Sequence, residues 1–146
     1  MLSGRFDGGA KEAVLRAVGQ RLKQRGVPIL VVEAGAGEAF GPMTMKCLAK
    51  MEAMVAFCFE NYGEKTASPF SSFHDVEYAI ENKSRVIPLK LYDGAWPPAP
   101  PGDEDGSIQN KFLFKGSMVY EQFLEPFDDA KLDAITSYVL KAAVKK

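Results

Sequence analysis

Glu77 follows His74 by three residues in the run Ser71-Ser72-Phe73-His74-Asp75-Val76-Glu77-Tyr78-Ala79-Ile80. On a helix, positions three apart share a face, so imidazole and carboxylate are free to meet. A carboxylate so placed, at the start of a helix that follows a Ser-rich loop, is the sequence's best candidate for chemistry. It also complements the helix macrodipole, and most acids in the first turns of helices do nothing more. His74 is the only histidine, so no Ser-His-Asp set can be assembled, and a capping or solvated role suits it as well as a chemical one.

The other chemistry-bearing types form weaker patterns. Gly35-Ala36-Gly37 is isolated, and nowhere do glycines take the Gly-x-Gly-x-x-Gly or Walker A spacing of nucleotide-binding loops. Cys47 and Cys58 lie inside apolar stretches without Cys-x-x-Cys spacing. Both read as buried thiols, and neither a metal site nor a disulfide framework is expected.

Glu77 is positioned by the elements around it. Val14, Leu15, Val18 and Leu22 recur at helical spacing across residues 10–25, and Gly26 supplies the stop. Val27-Pro28-Ile29-Leu30-Val31-Val32 is uniformly apolar and reads as a strand buried on both faces. A glycine-rich loop over residues 33–41 precedes Pro42, which suits the first position of a helix over residues 42–50. Residues 53–59 form another strand, residues 60–72 a long polar loop, and the Glu77 helix ends near Asn82. Residues 85–91 make a further strand. The stretch from Trp96 to Gly106 is proline-rich and then acidic, and is expected to break regular structure. Phe112, Phe114, Met118, Val119 and Tyr120 suggest a last short strand, and residues 128–145 a final helix capped by Asp128 or Asp129.

Met1-Leu2-Ser3 reads as the end of a first strand, so strands and helices alternate along the chain. That order predicts a flavodoxin-like three-layer α/β sandwich: a central parallel sheet of about five strands with helices on both faces. Ligands of such sheets bind beyond the carboxyl ends of the strands. Here the loops over residues 4–9, 33–41, 61–72 and 92–106 follow strands, and three of them converge with the start of the Glu77 helix.

One domain, residues 1–146, is expected, because 47% hydrophobic and 25% charged residues are the balance of a globular chain. With a formal net charge of -1 and no basic cluster apart from the terminal lysines, nucleic acid and anionic membranes are poor partners. No apolar run reaches the roughly 20 residues of a membrane span, and no charged segment followed by an apolar core opens the chain. A cytoplasmic location is expected.

The first-strand segment Leu2-Ser3-Gly4-Arg5-Phe6-Asp7, the glycine-rich loop after the second strand, Phe73-His74-Asp75-Val76-Glu77 and Arg85-Val86-Ile87-Pro88-Leu89 together resemble the TIR (Toll/interleukin-1 receptor) domain. The likeness spans nearly the whole chain and is strongest at Phe-x-x-x-Glu and Val-Ile-Pro. It implies an NAD⁺ glycohydrolase or cyclase that cleaves the nicotinamide–ribose bond, giving nicotinamide and ADP-ribose or a cyclic isomer, in immune or cell-death signalling. Glu77 matches the family's catalytic glutamate, and NAD⁺ is substrate, so no bound cofactor is implied. Ser3, Arg5, Phe6, Phe40, Tyr62, Phe73 and His74 become candidates for substrate binding. Among these, aromatic rings could stack on nicotinamide or adenine, and Arg5 could meet the diphosphate. The family usually carries Trp at Phe73, often Cys at His74, and an aromatic at Gly4. Members also assemble with their own kind, so a homo-oligomer or TIR–TIR assembly is implied. The same resemblance admits a non-catalytic module acting by self-assembly. Shared architecture leaves a third reading, a nucleoside deoxyribosyltransferase-like N-glycosidase.

Overall fold

A computed structural model describes residues 2–4, 9–27, 53–65, 72–115 and 118–144. Strand β1 is Leu2–Ser3, helix α1 Ala10–Gln24, strand β2 Ala53–Cys58, helix α2 Ser72–Glu81, strand β3 Arg85–Lys90, helix α3 Glu104–Leu113, strand β4 Glu121–Gln122 and helix α4 Asp129–Val144. The strands pair in the order β1-β2-β3-β4, all parallel. Leu2 lies opposite Val55, and Val55 opposite Ile87. None of these helices is long and apolar enough to cross a membrane.

The apolar runs that make β2 and β3 explain the sheet's position. Side chains alternate across a strand, and the two sets on β2 enter different clusters. Val55 and Phe57 join Leu2, Ile87 and Leu89 beneath Val14, Leu15, Val18 and Leu22 of α1 and Leu132, Ile135 and Val139 of α4. Met54, Ala56 and Cys58 meet Val76 and Ala79 of α2 and Leu113 at the end of α3. A strand buried on both sides needs this continuous apolar sequence. The α/β architecture expected from the alternation is therefore present in the described residues as a four-stranded parallel sheet with helices. Asp128 caps α4 by accepting the Lys131 N–H at 2.9 Å, as expected. The helix expected over residues 42–50 and nearly all of the strand expected over residues 27–32, together with Cys47, lie outside the described residues.

One expectation is overturned. The acidic segment after the prolines does not break regular structure; it starts α3. Asp103 takes an extended backbone and its side chain accepts the Gly106 N–H at 3.0 Å, while Glu104 and Asp105 fill the first turn. Cap and dipole thus use acids that composition alone assigns to solvation. Phe112 consequently lies in a helix and Phe114 at its C-cap, and the last strand is the two-residue edge β4, beyond Tyr120.

Candidate functional site

The carboxyl end of the sheet is where the start of α2, the loop after β2 and the segment after β3 come together. Gly63 has φ of +85°, and a Cβ there would lie 2.4 Å from Asn110 Oδ1, so only glycine serves. Its N–H donates to Ser72 Oγ at 2.8 Å, fastening the loop to the first residue of α2. Buried Asn110 of α3 donates through Nδ2 to the carbonyls of Tyr62 and Pro98, each at 2.8 Å. Lys65 N–H donates to Asp103 Oδ2 at 2.6 Å, and Gln109 Nε2 to the Phe73 carbonyl at 3.1 Å. The Lys65 and Gly106 amides hold the Asp103 carboxyl below its usual range. Helix α3 therefore clamps both the loop after β2 and the amino end of α2.

Under that amino end lies a polar group in an otherwise apolar place. Ser3 Oγ, fully buried at the end of β1, donates to Asp75 Oδ2 at 2.7 Å and shares a second 2.7 Å hydrogen bond with Tyr62 Oη. Asp75 as a residue keeps part of its surface, but its carboxyl is enclosed by protein. Desolvation raises its pKa from 3.8 to about 7, against the lowering effect of the Ser3 hydrogen bond. Burial also pushes the Tyr62 phenol up, helped by Cys58 and Asp75, and pushes up the buried Cys58 thiol. With Asp75 ionised, the chain runs from Tyr62 to Ser3 to the carboxylate, each hydroxyl donating onward.

The residues singled out in the sequence fall into separate groups. Ser3 and Tyr62 are together, inside. Glu77 and His74 are together on the outer side of α2, with Glu77 Oε1 3.8 Å from His74 Nδ1 and their side chains 48% and 38% exposed. Phe73, buried, meets His74 edge-on at 5.4 Å between ring centroids, and the Lys65 ammonium stands 5.3 Å from the Phe73 centroid. Two positions along a helix turn the side chain by about 200°, so Asp75 and Glu77 point away from each other. Arg5, Phe6 and Phe40, and the loop over residues 33–41, lie outside the described residues.

Gly4, where the TIR pattern has an aromatic, packs so closely that a Cβ would stand 2.6 Å from Leu15 Cδ1. Asp75 is the residue that spacing from Glu77 does not single out. Its signal is its place three residues after Ser72 and beside Val76, on the stripe that Ser72, Val76 and Ala79 bury. A carboxylate on the inward stripe of a helix needs a partner, and Ser3 is that partner. Among the described residues no group of three His, Cys, Asp or Glu side chains is placed to hold a metal ion. No family model, curated protein or solved structure matches the chain.

Proposed function

We propose that the chain is a TIR-type N-glycosidase that cleaves the nicotinamide–ribose bond of NAD⁺, with Glu77 as the catalytic carboxylate. The observation that carries this reading is the placement of α2. Its first turn is hydrogen-bonded to the carboxyl end of β1 through Ser3–Asp75 and to the loop after β2 through Ser72–Gly63, so the helix rises from the carboxyl edge of the sheet, where parallel sheets of this kind generally take their ligands. Glu77 is left in solvent reach beside His74. In this reading the fold is the five-stranded, three-layer flavodoxin-like sandwich, with the remaining strand supplied by the apolar run at residues 27–32.

The reaction needs little covalent help. The bond from ribose C1′ to the nicotinamide nitrogen breaks, its electron pair neutralises the pyridinium, and an oxocarbenium-like centre forms. Glu77 stabilises that centre. A water oxygen then bonds to C1′ and releases a proton, or an adenine nitrogen of the same molecule bonds there and closes a ring. Ser3 and Tyr62 act from inside through Asp75 as positioning residues, and Phe73 backs His74. Arg5, Phe6 and Phe40 are proposed to meet substrate. The site is cytoplasmic and is completed in homotypic assemblies.

A second reading has its own support. Ser3, Tyr62 and Phe73 are at most 8% exposed, so these three are committed to packing, as in an interaction module that assembles without turnover. Nicotinamide release from NAD⁺ by concentrated protein separates the two, with wild type beside Glu77→Gln. Turnover by wild type, reduced by at least about 100-fold in a folded variant, supports the enzyme; no turnover by wild type in assemblies overturns it. Cleavage of free nucleosides but not NAD⁺ would instead assign the deoxyribosyltransferase-like chemistry.

A further inference from the structure

A cavity of about 390 Å³ opens at the carboxyl end of β2 and β3, on the α1 and α4 side, away from the face that α2 covers. Its volume is in the range of small-molecule sites. The base is apolar: Phe59 and Phe127 stand edge to face with centroids 6.1 Å apart, and buried Leu91 completes it. The rim is acidic, with the exposed side chains of Glu60, Asp93 and Glu125 around it. Among the described residues none of these three carboxylates has an ion pair or a hydrogen bond. Among the described residues Lys11 is the one cation of the lining. Its ammonium lies 5.7 Å from the Phe59 centroid and donates to Asn61 Oδ1 at 3.2 Å.

We infer that this cavity binds a small organic cation, a protonated amine carrying an aromatic or aliphatic body. The apolar body would take the Phe59, Phe127 and Leu91 base, where burial is favourable at roughly 25 cal/mol per Å². The ammonium would stand among carboxylates that no described residue pairs with, and beside rings of the kind that already hold Lys11. Among the described residues one ammonium stands against three carboxylates, and with that negative surplus an isosteric neutral molecule loses the Coulomb attraction and an anion is repelled. The same surplus excludes the diphosphate of a dinucleotide, which keeps this site distinct from the one proposed at Glu77. The inference does not rest on the glycosidase reading.

The test uses three probes of one shape: benzylammonium, benzyl alcohol and benzoate, titrated into the whole chain and followed by amide NMR. Benzylammonium is expected to shift the Lys11, Glu60, Asp93 and Phe127 signals saturably, with the alcohol and benzoate binding at least about tenfold more weakly. A combined Glu60→Gln, Asp93→Asn and Glu125→Gln variant, changed only at exposed positions, is expected to lose that preference while the rest of its spectrum stays in place. Equal binding of the alcohol, shifts centred elsewhere, absence of saturation, or a preference that survives in the variant would each overturn the inference.

Discussion

Asp75 is held neutral by its surroundings more readily than a free aspartate, and this links its proton to folding. The folded carboxyl keeps its proton to about pH 7, whereas in the unfolded chain the ordinary value is 3.8. Between those values the folded state binds more protons, so stability is full below the unfolded value, declines as pH rises, and levels off above about 7. Asp75→Asn retains an oxygen to accept from Ser3 and cannot titrate. Urea unfolding at pH 5 and at pH 8 should show wild type losing up to about 3 kcal/mol more than the variant, from the two units between pH 5 and 7 at about 1.36 kcal/mol each. Equal losses in both proteins would remove Asp75 as the cause. What the sequence reveals at this scale follows from exposure. The Glu77–His74 spacing is readable because both residues sit on one open helix face, and helical period alone brings them together. The Ser3–Asp75–Tyr62 group joins positions 59 and 72 residues apart, and only the folded sheet puts them in reach.

At the scale of elements, α3 decides how the candidate site is held. Asp103 serves twice: one carboxylate oxygen accepts Gly106 N–H and caps the helix, and the other accepts Lys65 N–H from the loop after β2. Asp103→Ala should therefore cost more than the roughly 1 kcal/mol of a lost cap, about 1–2 kcal/mol in unfolding free energy. Hydrogen exchange should show faster opening at Lys65 as well as at Gly106, and acceleration confined to Gly106 would mean that the tie to the loop contributes nothing. Strands β2 and β3 are legible as short apolar runs, and helices α1 and α4 by the helical spacing of their apolar residues. Helix α3 is not, because prolines precede it, its cap is one acid among three, and its apolar residues are few. Phe112 and Phe114, which suggest a strand by their alternation, belong to the end of a helix whose opposite side is clamped by Asn110.

For the molecule as a whole, the two cores on either side of β2 leave some apolar surface outside both. Ile108 and Phe112, four apart on α3 and so on one face, are 44% and 64% exposed, and Val119 just beyond the helix is 79% exposed. Exposed large side chains grouped on one helix suit contact with another molecule better than solvent, and the occupant that fits the proposed function is a second copy of the chain. If the Glu77 site works in such assemblies, the NAD⁺ cleavage rate per subunit should rise with protein concentration. Phe112→Glu places a charge on this face at little cost to folding, within about 0.5 kcal/mol for so exposed a position. It should move the onset of activity to at least about tenfold higher concentration while leaving the rate of the assembled form near that of wild type. Light scattering on the same dilution series follows assembly directly and applies equally to a module without turnover. A rate per subunit that stays flat across the series, with scattering of a monomer throughout, would show that this face is not where copies meet and that the site is complete within one chain.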